Sequence, residues 1–197
     1  MRLPHTLPTK YLFYPAQFWP HKNHLRIIQA LGLIKKKSKL DIPIIFCGSC
    51  SGQVKEKTFS ELMTESQKLS IDKNIYYLGY VDDEQVSYLY QKATSLIMPT
   101  FFGPSNLPIL EAWSLDCPVI TSNINGVRNQ AGNAALLVDP KSVKSIAEAI
   151  LKIWKDDKLR LKLIKFGRQR LALYTEAEYN KRLRDIIFEA KKYIKSN

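Results

Sequence analysis

Long apolar runs are missing from this chain of 197 residues. No stretch of about 18 consecutive apolar residues occurs and no charged-then-apolar leader opens it, so neither a membrane-spanning helix nor a signal peptide is expected. The expected location is cytoplasmic, with contact at a membrane periphery left open by the basic surfaces noted below. Cysteine is scarce: Cys47, Cys50 and Cys117 are an odd number without a disulfide framework, as in a reducing compartment. Cys47 and Cys50 form a C-x-x-C, but no second pair or histidine cluster accompanies it. Too few ligands are present for zinc, so the pair reads as strand-end packing, and no metal is expected. Neither G-x-G-x-x-G nor G-x-x-x-x-G-K-[ST] occurs, which disfavours a nicotinamide enzyme and a P-loop NTPase. Internal repeats and low-complexity segments are also lacking.

What the chain does have is positive charge, a formal +12 with a pI near 9.6, within ordinary globular proportions of 45% apolar and 24% charged residues. One domain with a sizeable core is the expectation at this length. The charge gathers in "KKKSK" at 35–39 and in two amphipathic stretches, "KDDKLRLKLIKFGRQR" and "KRLRDIIFEAKKYIKSN". Solvated helix faces account for these first, and an anionic lipid surface or acidic partner second. A nucleic-acid partner is not expected, because no recognition helix or aromatic platform goes with the charge.

The rest alternates short apolar strands with helices. "KYLFYPA", "IPIIFCG", "NIYYLG", "SLIMPT", "PVITS" and "AALLVD" read as strands. Helices fall on "NHLRIIQALGLI", "FSELMTESQKLS", "DEQVSYLYQKA" and "LPILEAWSL". Strands of continuous apolar character are buried on both faces, so the fold class is α/β, a parallel sheet of about six strands covered by helices on both faces. From about Ser142 the pattern is wholly helical and predicts a C-terminal extension.

Ligands of an open parallel sheet bind at the carboxyl ends of its strands, which directs attention to four strand-to-helix loops. They are "QFWPHKNH", "GSCSG", "GYVDDE" and "FFGPSNLPILEA". Glycines there let backbone approach a ligand, Lys22 could neutralise phosphate, and helix amino termini are anion sites. In the fourth loop Gly103, Pro104, Ser105 and Asn106 predict a tight turn, and Leu107 and Pro108 the start of a helix. Glu111, one turn in, is either a carboxylate near a helix dipole or an acceptor for ligand hydroxyls; both readings stand. His21 and His24 could likewise touch a ligand or simply pack and cap. Trp19 reads as a loop anchor, and Trp113 and Trp154 as core.

"PTFFGPSNLPILEAWSLDCPVITSNINGV", followed by "AGNAALLVDP", resembles the nucleotide-binding C-terminal domain of retaining GT-B glycosyltransferases of family 4, the group 1 type. "FYPAQFWPHKNH" is similar to the mannosyltransferase, O-antigen and capsule subset, and the likeness runs from about Lys10 to Lys192. It implies a donor such as GDP-mannose or a UDP-sugar, transferred in glycan, lipopolysaccharide or capsule synthesis without a metal. On this likeness Lys22 meets the diphosphate and Glu111 the ribose, these two being the catalytic candidates. Gln17, Gly48, Ser49, Tyr80, Val81, Gly103, Pro104, Ser105, Asn106 and Leu107 complete the implied donor site, with Gly79 edging the base.

The sequence departs from the family pattern at three places. Gly103 stands where the first of two glutamates is usual, Gln17 where an arginine is usual, and Asn129 where an acid is frequent. The resemblance further implies that residues 1–9 are linker-like, 10–174 a Rossmann-like donor-binding domain, and 175–197 a basic helix reaching toward an N-terminal acceptor lobe in cis or on another chain. Donor binding with little transfer is then expected of this chain alone. A non-catalytic sugar-nucleotide-binding subunit is the alternative.

Overall fold

The computed structural model describes residues 7–103 and 106–196. Six strands form one parallel sheet: β1 Leu12–Pro15, β2 Ile44–Cys47, β3 Ile75–Tyr77, β4 Ser95–Met98, β5 Val119–Ser122 and β6 Leu136–Val138. Their order is β3-β2-β1-β4-β5-β6. β2, β4 and β5 are buried at every position, whereas the edge strands β3 and β6 are partly exposed. The apolar runs therefore sit where both faces are covered, as their composition predicts. β1 pairs with β2 from Leu12↔Ile44 to Pro15↔Cys47 and with β4 at Leu12↔Ser95 and Phe13↔Leu96. The direction of winding reverses between β1 and β4, so the loops after these two strands diverge and leave a crevice at the carboxyl edge.

The helices between strands are α1 His24–Ser38, α2 Gln53–Lys68, α3 Asp83–Lys92, α4 Leu107–Ser114 and α5 Val127–Ala131. After the sheet come α6 Val143–Lys155, α7 Asp157–Leu171 and α8 Glu176–Ser196. Local chemistry explains several boundaries. Asp82 accepts from the Gln85 N–H while the Gln85 side chain accepts from the Asp82 N–H, a reciprocal cap that starts α3. The Ser142 and Asp156 side chains cap α6 and α7 one way only, accepting from the Ser145 and Leu159 N–H groups. α2 begins six residues earlier than its apolar periodicity predicts, because its first turn is polar and largely exposed and leaves no hydrophobic signal. The five-residue α5 is too short to show a period in the sequence.

α1 packs against α2 and α6, and α4 against α7. In the second contact Trp113 is buried with its indole N–H donating to the Ala134 carbonyl, in agreement with its predicted core position. Trp154, expected in the core, is instead half-buried against its edge, beneath the Lys10 ammonium 4.5 Å from its ring centroid. α8 differs from the other helices: Tyr179, Leu183, Ile186, Ile187, Phe188 and Tyr193 are all exposed on it. The three cysteines are free, with Cys47 and Cys117 buried.

The carboxyl ends of β1 and β2 meet closely. The Ala16 N–H donates to the Cys47 carbonyl at 2.9 Å, and Gly48 follows with φ +125°. A Cβ on Gly48 would lie 2.9 Å from the Ala16 carbonyl group, so both the conformation and the space require glycine. Gly48→Ala is expected to cost about 1 to 2 kcal/mol of stability, read by denaturant titration; an unchanged midpoint would show that the rim relaxes freely.

Candidate functional site

The crevice is built by four loops tied to one another through backbone. The Gly48 N–H donates to the Gly79 carbonyl at 2.8 Å, joining the loops after β2 and β3. The Phe101 N–H and the Thr100 hydroxyl both donate to the His21 carbonyl, at 2.8 and 2.9 Å, joining the loops after β1 and β4. Asn23, in a left-handed conformation at φ +63°, donates from its carboxamide to the carbonyls of Pro99 at 2.7 Å and Pro140 at 2.8 Å. Gln17, Gly48, Ser49, Gly79, Tyr80, Val81 and Gly103 all follow the carboxyl ends of their strands and so stand on one edge of the sheet. Tyr80 is 87% exposed, so it is this loop's backbone that packs toward β2. Pro104 and Ser105 lie outside the described residues.

Lys22 ends a short 3-10 turn, Pro20–Lys22, whose position is set by the Tyr14 hydroxyl donating to the Lys22 carbonyl at 3.0 Å. Its side chain is half-buried, and burial pulls its pKa below the ordinary lysine value. Among the described residues no carboxylate lies within ion-pair distance of it. A desolvated cation without a counter-ion is electrostatically unfavourable until an anion arrives. Gln17 is exposed, and its Oε1 accepts at 3.1 Å from the indole of Trp19, which is itself exposed and so does not anchor the loop in the core as the sequence suggests.

Glu111 lies on the exposed side of α4 near its middle, and the Tyr90 hydroxyl donates to its Oε2 at 2.9 Å. Burial, then the Glu111 charge, raises the Tyr90 pKa well above the tyrosine range, so Tyr90 keeps its proton and fixes the carboxylate as an acceptor. The same charge reaches Cys47, whose thiol burial pushes up to about 12. Cys47 is therefore a packing group and not a nucleophile. At the start of α4, Asn106 is buried at φ +47° and Leu107 is exposed. The Ile109 N–H is turned inward to the Asn106 carbonyl, and Pro108 has no N–H to offer. A side chain at Gly103 would run into the Asn106 carboxamide. Gly103 and Asn106 are therefore a matched pair, and a glutamate at 103 would have to displace Asn106.

His24 resolves differently from His21. It is buried against Tyr14, Phe18 and Phe46, with both ring nitrogens lacking a hydrogen-bond partner among the described residues. Desolvation lowers its pKa to about 3. It packs, and the ligand role considered for it does not fit. His21 is half-buried, 6.3 Å ring to ring from Phe102. Tyr90, Tyr14 and Asn23 were not singled out in the sequence; the signal for the tyrosines was a hydroxyl on an apolar stripe, which needs a partner when buried. Among the described residues no group of three or more His, Cys, Asp or Glu could hold a metal, and no helix is long and apolar enough to cross a membrane.

Residues 3–170 match the family model described as glycosyl transferases group 1. The chain belongs to the group 1 glycosyltransferases. Among curated relatives of this family member, O-antigen chain mannosyltransferase B of Escherichia coli is 33% identical over 150 residues, covering 76% of this chain and 38% of that protein. D-inositol 3-phosphate glycosyltransferase of Corynebacterium urealyticum is 28% identical over 156 residues, covering 77% and 36%. The glycosyltransferase chain thus spans well under half the length of either. Among solved structures, sucrose-phosphate synthase from Thermosynechococcus elongatus superposes with a TM-score of 0.78 at 23% identity, over 93% of this chain and 47% of that one. The C-terminal domain of a group 1 glycosyl transferase from Francisella tularensis gives 0.72 at 22% identity, over 83% and 85%. At these identities the likeness is one of fold, a single lobe of the GT-B architecture.

Proposed function

We propose that this glycosyltransferase chain is the donor lobe of a retaining hexosyltransferase, binding a GDP-mannose-like or UDP-linked sugar for glycan, lipopolysaccharide or capsule synthesis. The observation that carries it is Lys22, a half-buried ammonium without a carboxylate partner among the described residues, at the crevice edge. As the glycosidic bond breaks, negative charge grows on the departing diphosphate, and a fixed cation there lowers the barrier without a metal. Glu111, oriented by Tyr90, supplies the acceptor for ribose hydroxyls. The exposed stripe Tyr179, Leu183, Ile186 and Ile187 of α8 follows the spacing i, i+4, i+7, i+8, the pattern of a helix face made to be covered. On this reading it packs on an acceptor lobe, and residues 175–197 belong functionally to that contact.

A thermal-shift panel of GDP, UDP and ADP sugars tests the reading. One nucleotide class should raise the melting temperature, equally with and without EDTA. Glu111→Ala should weaken that ligand about tenfold, as expected for loss of a charged hydrogen-bond acceptor. No response to any nucleotide, or an Ala variant that binds as the parent does, would refute the site.

A further inference from the structure

We propose that a second cleft, on the α5 side of the loop between β4 and α4, is an oxyanion subsite that takes a carboxylate or phosphate carried by a glycosyl ligand. The proposal rests on the donor-site reading above, because the two sites share Gly103 and Asn106. The cleft encloses about 400 Å³ and is lined by both these residues, by Gly126 and Asn129 at the start of α5, and by Arg170 and Arg182 from α7 and α8. Among the described residues no acidic side chain lines it.

The two arginines differ in how they are held. The Arg170 Nε donates to the Gln130 carbonyl at 2.8 Å and one of its terminal nitrogens donates to the Asn129 carbonyl. These contacts fix the guanidinium plane while leaving its charge without a carboxylate partner among the described residues. Arg182 is shared: its Nε donates to Glu178 at 3.0 Å, one turn earlier on α8. A planar guanidinium held in place presents paired donors that match a two-oxygen anion, and a second cation within the same cleft raises its selectivity for charge. Asn106 adds a carboxamide to the lining, its side chain occupying the space that a Cβ on Gly103 would need. Position 103 itself brings no charge, Asn106 fills the space beside it with a neutral carboxamide, and of the two arginines in the lining only Arg182 is offset by a carboxylate among the described residues. The lining is therefore net positive through Arg170, and an anionic ligand group is favoured.

The anion could belong to the donor, as an acidic hexose, or to the acceptor, as a sugar phosphate. Calorimetric titration of the full chain separates these. A nucleotide hexuronate binding about tenfold tighter than the matching nucleotide hexose, with the gain lost in Arg182→Gln and Arg170→Gln, assigns the anion to the donor. A monosaccharide phosphate that binds alongside free nucleoside diphosphate, with the same dependence on both arginines, assigns it to the acceptor. Arg170 also ties α5, so its variant loses stability for that reason as well; Arg182 hydrogen-bonds within α8, to Glu178, and keeps the test open. Inorganic phosphate serves as a probe independent of the nucleotide. If neither arginine variant changes the binding of phosphate, sugar phosphate or hexuronate, the subsite is refuted, even where Glu111→Ala still weakens the nucleotide. If the nucleotide panel fails but phosphate binding depends on both arginines, the cleft stands and the donor reading falls.

Discussion

Lys22→Ala is expected to weaken nucleoside diphosphate binding about thirtyfold, the equivalent of about 2 kcal/mol, with the melting temperature of the free protein unchanged. The two outcomes separate because backbone and side chain have different anchors. The turn is held by the Tyr14 hydroxyl on the Lys22 carbonyl and by the Lys22 N–H on the Trp19 carbonyl at 2.9 Å, neither of which involves the ammonium. The ammonium itself is partly desolvated without an ion-pair partner among the described residues, so its removal should cost the folded state little. Titration calorimetry at two salt concentrations measures this, and affinity should also become less salt-sensitive. A change of less than about twofold in affinity would remove Lys22 from the binding machinery.

Acid should destabilise the fold through His24. In the unfolded chain its imidazole takes a proton near the ordinary value of 6.5, whereas burial holds the folded value to about 3. Between those limits the unfolded chain carries a proton that the folded protein refuses. Stability that is fully present above pH 6.5 is therefore lost as pH falls, at up to about 1.4 kcal/mol per pH unit for this one group. His24→Phe keeps an aromatic ring among Tyr14, Phe18 and Phe46 but cannot titrate, and it should flatten that slope. Urea unfolding of both proteins at pH 7.5, 6 and 5 measures the difference; parallel pH profiles would show that another group controls the acid limb.

Much of this architecture was legible because burial on both faces leaves a mark. Ser95–Met98 and Val119–Ser122 read as strands from apolar content alone, and both are central. The start of α2 at Gln53 was not legible, since a helix end facing solvent needs no periodic residue. Within the site, Lys22 and Glu111 stood out through a resemblance and by lying beside strand ends. Tyr90 did not, because its role depends on α3 and α4 meeting in space, 21 residues apart in the chain. His24 was ambiguous for the same reason: only the packed structure shows that three aromatic rings surround it. Arg170 read as one more basic residue on a solvated helix until α5, itself invisible in the sequence, supplied its carbonyl partners.

The Asn23 carboxamide has a bearing on how fast and how tightly the crevice can respond to a ligand. Its two hydrogen bonds bind segments 76 and 117 residues away, so one side chain joins the ends of β1, β4 and β6. Loops so joined fluctuate as a single body, and their ordering entropy is lost during folding and not at the moment of binding. The rim is thus preorganised, and more of each contact made with a ligand is free to appear as affinity.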